Sequence, residues 1–263
     1  MTADGTPLLR HPLDAPSAFT PADLMQAVRA ERGLAIESVP SLCVLDFDGD
    51  LSDGLLSDGA ATPARSWACF HTRMLTLTLE GVECGVVPRT IGGPYAVLVA
   101  EQLHAAGAQL IVGLTSAGRV APALPLPSIV VVDEAIRDEG TSLHYVPAST
   151  TIASPTPLLA EHLARELEWV SPVRRGLAWT TDAPYRETED QLQSWAASGA
   201  LAVEMQAASL FAFARAKGAR VGIVALVSNS VSHTGGQFDT GGHAYRQAVL
   251  SAMARAARTF LRS

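Results

Sequence analysis

The stretch GALAVEMQAASLFAFARAKGARVGIVALVSNS, residues 199–230, indicates which class of fold the chain forms. Its first half has apolar residues at the i, i+3, i+4, i+7 spacing of a helix with one buried face. These residues are Ala207, Leu210, Phe211 and Ala214. We expect the run 204–206 to open this helix and Gly218 to end it, because glycine is the usual residue after a helix. The following run, 221–227, is apolar and rich in valine, which is typical of a strand buried on both faces.

Polar residues follow this strand, and the same order of elements recurs along the chain. Ser228, Asn229 and Ser230 come at the strand's carboxyl end, where open α/β sheets bind ligands. Further strands are predicted at 41–47, 74–79, 82–87, 109–114, 128–135 and from 176, and the second and third of these form a hairpin. Strands that alternate with helices predict an α/β sandwich around one sheet.

Three helices are predicted from their first residues. Thr20-Pro21 and Thr156-Pro157 each combine a capping residue with proline at the first helical position. Thr188 and Gln191 form a capping box. Residues 48–59 are acidic and contain glycine, and we expect a loop there. No linker divides the chain, so we expect one domain over 1–263, of which residues 1–40 form an N-terminal arm and helix.

Composition narrows the class of partner. The 263 residues are 48% hydrophobic and carry a net charge of −7, which argues against nucleic acid or an anionic membrane as the main partner. No apolar run is long enough to span a bilayer, and the N-terminal residues lack the pattern of a signal peptide. Cys43, Cys69 and Cys84 form no paired motif, so we expect reduced thiols and a cytoplasmic location.

Seven short segments occur in the order and spacing of one known family. They are GD at 49–50, TIGGP at 90–94, TSAG at 115–118, DEGTSLHY at 138–145, TTDAPYRET at 180–188, GALAVEM at 199–205 and VSN at 227–229. From about residue 41 onward the chain resembles the nucleoside phosphorylase and nucleosidase superfamily, nearest its uridine phosphorylase branch. The resemblance implies a three-layer α/β/α sandwich with a central mixed twisted sheet. It also implies a homo-oligomer built from dimers, such as a hexamer.

The resemblance implies a reaction as well. Members of this family break the N-glycosidic bond of a nucleoside through an oxocarbenium-like transition state. The protein must withdraw electrons from the base, hold the ribose, and present phosphate or water to the anomeric carbon. The expected small molecules are therefore a nucleoside and, for phosphorolysis, inorganic phosphate, with no other cofactor and no metal. The expected role is nucleotide salvage.

The ribose-binding residues implied by the resemblance are Glu204, Met205 and Gln206. The family has glutamate, methionine, glutamate here, and its second glutamate accepts hydrogen bonds from the ribose hydroxyls. Gln206 replaces that carboxylate with an amide, which both donates and accepts. The charge-assisted bond, roughly twice as strong as a neutral one, is lost.

The base is expected at Asn229, the implied catalytic residue, and near Pro184, Tyr185 and Arg186. Purine-cleaving relatives have an aspartate at the position of Asn229 that protonates the leaving base. An amide is no proton donor at neutral pH, and a lost general acid typically costs about 10²–10⁴-fold in rate. Pyrimidine-cleaving relatives instead hold the base carbonyls by hydrogen bonds, which Asn229 could also form. Tyr185 is equally consistent with stacking on a base and with a half-buried loop aromatic.

The phosphate side departs furthest from the family pattern. Gly49 and Ser116 match, but the first phosphate arginine is replaced by Asp53 and the second by Gly113. Four carboxylates crowd the place where an anion should bind, and like charge would repel phosphate. They are Asp46, Asp48, Asp50 and Asp53.

Two arginines, Arg73 and Arg89, are the candidates that compensate for the missing ones, and solvent-facing structural roles are the alternative for both. Water as the acceptor would need a carboxylate base instead of a phosphate cradle. The sequence leaves that choice open among five residues. They are Asp46, Asp48, Glu101, Glu134 and Glu204.

Several other features of the sequence allow further interpretations. His11 and His233 are candidates to contact the 5′ side of the sugar. The run CVLDFDGDL resembles the nucleophile motif of haloacid dehalogenase phosphatases, but Asp50 stands where that family has threonine or serine. A second class of function is a non-catalytic nucleoside- or nucleotide-binding protein. It is motivated by the replacements at Gln206, Asn229, Asp53 and Gly113.

Overall fold

A mixed β-sheet of ten strands forms the centre of the protein. The computed structural model describes residues 6–10, 12–230 and 242–263, without the side chains of residues 229 and 230. The strands are β1 (Leu42–Asp46), β2 (Thr62–Pro63), β3 (Leu75–Leu79), β4 (Val82–Pro88), β5 (Leu110–Arg119), β6 (Ser128–Asp138), β7 (Thr151–Ala153), β8 (Val173–Thr181), β9 (Ala200–Glu204) and β10 (Val221–Ser230). The described α-helices are α1 (Pro21–Arg32), α2 (Asp50–Ser57), α3 (Gly93–Ala105), α4 (Pro157–Leu167), α5 (Glu189–Ala197), α6 (Ala207–Lys217) and α7 (His243–Phe260).

The strand order is β10-β6-β8-β9-β5-β1-β4-β3-β2, with β7 paired to β6. Strand β10 also pairs with β5, so β5, β9, β8, β6 and β10 close into a ring. Strands β1, β4 and β3 extend from β5 as an open sheet. Strand β1 is buried along its whole length between two parallel neighbours, which explains its uninterrupted apolar sequence.

Helices cover the sheet on two sides, each with its own apolar core. One core takes side chains from α1, α3 and α6, and includes Val97 and Phe211. The other takes side chains from α2, α4 and α7, and includes Leu163 and Met253. This arrangement confirms the predicted α/β/α sandwich with a central mixed sheet. Among the described helices, none is long and apolar enough to cross a membrane.

The predicted local signals are present at the helix starts and the hairpin. Thr20 and Asp23 form a capping box at α1, and Thr188 and Gln191 form one at α5. The hairpin between β3 and β4 turns at 80–81, with positive φ at both positions. Each signal is local in sequence, which is why pattern alone locates it.

The prediction of a loop over 48–59 is wrong for most of its length, because α2 occupies residues 50–57. Leu51 and Leu55 are buried at i, i+4 spacing, and the acidic residues and Gly54 between them disguise the pattern. Gly54 is required by packing, since a Cβ there would lie 1.7 Å from Nδ1 of His243 in α7. The contact with α7, distant in sequence, stabilises this short helix.

Two element boundaries in the predicted site segments also differ from the prediction. Glu204, where we expected a helix to open, is the last residue of strand β9, and α6 begins only at Ala207. Strand β5 continues through the run 115–118, where we expected it to have ended. In both places pairing with a distant strand extends the strand: Gly118 pairs with Val203 of β9 and with Asn229 of β10.

Candidate functional site

The predicted site segments meet where β5 runs between β9 and β10. The backbone of Gly118 pairs with Val203 on one side and with Asn229 on the other. One strand further along, Thr180 at the end of β8 pairs with Glu204. The structure therefore brings the predicted ribose segment and the backbone of Asn229 to either side of the segment that contains Ser116.

Glu204 is a buried carboxylate that fixes the start of α6. One of its oxygens accepts a hydrogen bond from the Thr180 hydroxyl at 2.5 Å, and the other accepts from the backbone N–H groups of Gln206 (2.7 Å) and Ala207 (2.9 Å). Burial raises the pKa of Glu204 to about 7, although these three hydrogen bonds act in the opposite direction. Glu204 thus positions the residues beside it by capping the helix N-terminus.

Gln206 stands at the N-cap position of α6 and is almost fully buried. Its Oε1 accepts a hydrogen bond from the backbone N–H of Met205 at 3.2 Å. Among the described residues, none accepts a hydrogen bond from its Nε2. The amide group of Gln206 therefore offers a donor to a ligand in addition to its acceptor oxygen.

Ser116 and Asp48 form the centre of the predicted phosphate side. Oδ2 of Asp48 accepts hydrogen bonds from the backbone N–H of Ser116 at 2.8 Å and from its hydroxyl at 2.7 Å. Both donors of Ser116 are therefore used by a carboxylate of the same chain. The family resemblance implies an external anion, phosphate, at this position.

Arg246 of α7 lies behind this pair with its side chain only 1% exposed. Its Nη2 is 3.1 Å from the Ser116 hydroxyl, 3.3 Å from Oδ2 of Asp50 and 3.6 Å from Oδ2 of Asp48. Nε and Nη1 are buried and have no hydrogen-bond partner among the described residues. Sequence reasoning missed Arg246. A signal was present, because Arg246 shares the apolar face of α7 with Val249, Leu250 and Met253 at helical spacing.

Arg89 is directed at Asp53. Its guanidinium forms two hydrogen bonds with that carboxylate, at 3.1 and 2.5 Å. These bonds lower the pKa of Asp53 below its usual range, and the charge of the exposed Arg73 adds to the effect. The Arg89 side chain lies over Gly49, where a Cβ would be 2.8 Å from Arg89 Cγ. Of the four predicted phosphate residues, Gly49, Ser116 and Arg89 lie around this acidic cluster, and Arg73 lies near Asp53.

Phe47 and Asp46 are two further residues of this region. A Cβ at Gly113 would lie 2.7 Å from Cζ of Phe47, so Phe47 fills the space that a side chain at position 113 would need. Asp46 is buried, and its Oδ2 accepts hydrogen bonds from the N–H and the hydroxyl of Ser52 in the first turn of α2. Burial raises the pKa of Asp46. Asp46 therefore holds α2 against the sheet.

The predicted base residues Pro184, Tyr185 and Arg186 form a short 3₁₀ turn after β8. All three are exposed, and Tyr185 is 100% exposed. Their base-binding role stays a prediction. The side chain of Asn229 lies outside the described part of the structure, as do His11 and His233.

The sequence profile of the phosphorylase superfamily matches residues 42–262. The chain belongs to the phosphorylase superfamily. It is 25% identical over 159 residues to the guanosine phosphorylase of Halorubrum lacusprofundi, which covers 60% of this chain and 66% of that protein. It is 28% identical over 187 residues to the uridine phosphorylase of Thermococcus kodakarensis, covering 64% of this chain and 66% of that protein. It is also 28% identical over 167 residues to the uridine phosphorylase of Treponema pallidum, covering 58% of this chain and 63% of that protein.

The chain thus spans about two thirds or less of the length of these phosphorylase superfamily relatives. The matched residues 42–262 include every described element of the candidate site, from β1 to α7. Among the described residues, no group of histidine, cysteine and acidic side chains could hold a metal ion.

Proposed function

We propose that this member of the phosphorylase superfamily cleaves the N-glycosidic bond of a nucleoside. The observation that carries the proposal is the pairing of Gly118 with both Val203 and Asn229. Because this pairing brings residues 203 and 229 to either side of the strand segment that contains Ser116, it supports a substrate with a base, a sugar and an acceptor. The relatives named guanosine phosphorylase and uridine phosphorylase support a nucleoside, and they leave purine and pyrimidine as the two classes to test.

Each part of the substrate has a proposed partner in the chain. Gln206, fixed by the cap that Glu204 forms, binds a ribose hydroxyl through its amide. Asn229 holds the leaving base by hydrogen bonds, because an amide donates and accepts but does not transfer a proton at neutral pH. Pro184, Tyr185 and Arg186 close over the base from the turn after β8. No cofactor is proposed.

The test is release of free base from a panel of purine and pyrimidine nucleosides, followed by chromatography with and without inorganic phosphate. Release from at least one nucleoside is the expected result. Gln206→Ala should lower the rate by weakening ribose binding, while Gln193→Ala, an exposed glutamine of α5, should leave it unchanged. Absence of release from every nucleoside in the panel would contradict the proposal.

The alternative is a nucleoside-binding protein without catalysis. Two observations favour it: Asp53, where the family resemblance implies a phosphate arginine, binds Arg89, and Phe47 fills the space beside Gly113. A binder would release no base, yet a nucleoside would raise its melting temperature, because a ligand that binds only the folded state stabilises it. Base release together with the melting temperature in the presence of a nucleoside therefore distinguishes the enzyme from the binding protein.

We further propose that the protein works as a homo-oligomer built from dimers, such as a hexamer, in the cytoplasm. Exposed apolar side chains near the TIGGP segment support an interface, among them Ile91 (55% exposed) and Leu98 (38% exposed). Light scattering coupled to gel filtration measures the mass directly. A monomer at micromolar concentration would contradict this part of the proposal.

A further inference from the structure

Ser116 has no donor left for an external anion. Its backbone N–H and its hydroxyl both donate to Oδ2 of Asp48, at 2.8 and 2.7 Å. Hydrogen bonds to an ionised acceptor are short and strong, and a phosphate would have to break both of them. The carboxylate of Asp48 thus takes the contacts that the acceptor anion of a phosphorylase would need from Ser116.

Arg246 holds this carboxylate in place. Its guanidinium is buried and lies within 3.6 Å of Asp48 and 3.3 Å of Asp50, so its charge is balanced from within the chain. Nε and Nη1 of the same group are buried and have no acceptor among the described residues. Buried N–H groups are nearly always satisfied, so these two donors are expected to take a further acceptor beside Asp48.

Arg89, a second positive charge of this region, is already paired. Arg89 forms two hydrogen bonds with Asp53 and is 60% exposed. Four aspartates, at 46, 48, 50 and 53, face three arginines, Arg73, Arg89 and Arg246, so a phosphate dianion would add negative charge to a site that already has an excess of it. Phe47 fills the space in which an arginine at position 113 would lie.

We propose that the carboxylate of Asp48, held by Ser116 and Arg246, is a built-in replacement for the phosphate anion, and that water is the acceptor of the ribosyl group. This rests on the proposed nucleoside cleavage. The inference narrows the proposed reaction to hydrolysis and adds Asp48 as a catalytic residue. The negative charge of Asp48 stabilises the cationic sugar of the transition state, which is the contribution that phosphate makes in phosphorolysis.

The reaction balances without any further reagent. The oxygen of water forms a bond to the anomeric carbon while the N-glycosidic bond breaks and its electron pair goes to the base. The proton of water passes to Oδ1 of Asp48, which receives no hydrogen bond from the described residues, and from there to the departing base through solvent. The products are the free base and ribose.

The first test measures phosphate binding and needs no activity. The melting temperature of the wild-type protein should not change with inorganic phosphate. Asp48→Ala frees both donors of Ser116 and leaves Arg246 paired with Asp50 alone, so its melting temperature should rise with phosphate concentration. Asp48→Gly, which also removes the acceptor of both Ser116 donors, is the second variant if Asp48→Ala does not fold.

The matched control is Asp58→Ala, because Asp58 is a carboxylate at the end of α2 that pairs with His243 and not with Ser116. It removes the same charge without freeing Ser116. A gain of phosphate binding by Asp58→Ala equal to that of Asp48→Ala would show that net charge alone is responsible, and would overturn the proposal. A rise in the melting temperature of the wild-type protein with phosphate would overturn it as well.

The second test follows the products. With a nucleoside that the wild-type protein cleaves, base release should be independent of phosphate and the sugar product should be ribose carrying oxygen from ¹⁸O-labelled water. Asp48→Asn should lower this rate by about 10²–10⁴-fold, the usual effect of losing a general base. Ribose 1-phosphate as the product would overturn the proposal. If no nucleoside is cleaved, the proposed function fails, while the phosphate-binding test still decides whether Asp48 occupies the anion position.

Discussion

At the scale of single residues, ion pairs and hydrogen bonds of buried charged side chains determine the geometry of the site. Arg246 is balanced by Asp48 and Asp50, whereas Glu204 is balanced by backbone N–H groups at the start of α6. An unpaired charge in a protein interior is very costly, so each of these side chains is bound to a specific neighbour. Two predictions test these pairings.

Arg246→Met should lower the free energy of unfolding by about 3 to 5 kcal/mol, because it leaves carboxylates without their buried cation. The lower end is expected, since Asp50 is 44% exposed and can be solvated. Urea denaturation measures the loss. Arg165→Met is the control: its ion pair with Glu166 is 3.9 Å long and Arg165 is 57% exposed, so it should change stability by about 1 kcal/mol or less. Equal losses in the two variants would contradict the role of Arg246.

Glu204 should make stability depend on pH. Its folded pKa of about 7 lies above its ordinary value of 4.5, so the folded protein keeps a proton that the unfolded chain has lost. The stabilisation is complete below pH 4.5 and is lost as the pH rises to about 7, with a size of up to about 3 kcal/mol.

Glu204→Gln removes this titration, so its unfolding free energy should fall less than that of the wild-type protein over the same pH range. The comparison is needed because half-buried Glu187 also has its pKa raised to about 7 by burial. Denaturant titrations at several pH values measure both slopes. Parallel pH profiles for the two proteins would contradict the assignment to Glu204.

At the scale of elements, α2 and α7 together form the acidic side of the candidate site. Helix α2 begins after Gly49 and carries Asp50 and Asp53, while α7 supplies Arg246 and His243. The two helices approach closely at Gly54, where the ring of His243 occupies the space of a side chain. Residues separated by about 190 positions in sequence thus determine one another's placement.

Gly54→Ala should lower stability by about 1 to 3 kcal/mol, because its Cβ would overlap the His243 ring and overpacking costs that much. Combining it with His243→Ala should remove the overlap and recover the helix propensity of alanine over glycine, about 1 kcal/mol. Chemical denaturation of the double-mutant cycle measures the coupling. Ser57→Ala, on the exposed end of α2, is the control. Additive effects at positions 54 and 243 would contradict the contact.

At the scale of the whole molecule, the closed ring of strands joins the two helix layers. Strand β10 pairs with both β5 and β6, so the C-terminal third of the chain completes the sheet that the first half begins. Helix α7 then packs Leu250 and Met253 into the core beside α4. We therefore expect residues 1–263 to unfold as one domain.

Met253→Ala should lower the unfolding free energy by about 2 to 5 kcal/mol, the usual cost of a cavity in a core. Tryptophan fluorescence reports on all four tryptophans, of which Trp67 and Trp179 lie in different clusters, and far-UV circular dichroism reports on the whole backbone. Both signals should shift by the same amount if the domain is cooperative. Arg262→Ala, at the exposed end of the chain, is the control. Separate transitions would contradict a single domain.

The sequence by itself determined the fold class, the family, and the local signals at the capping boxes and the hairpin, because each depends on periodicity or on residues a few positions apart. It also suggested Gly49 and Ser116 as phosphate-side residues, through segments in the family's order, and Arg89 as a compensating arginine. It could not identify β9, whose five residues become a strand through pairing with β5 and β8.

Only the tertiary structure decided what the acidic cluster does. Asp48 and Ser116 are far apart in sequence, and Arg246 further still, so no local pattern could pair them. Tertiary packing buries the arginine beside two aspartates and turns one of them toward both donors of Ser116. The physical reason is that a buried charge takes its partners from whichever elements the fold brings within hydrogen-bond distance, and these belong to β5, α7 and the turn before α2.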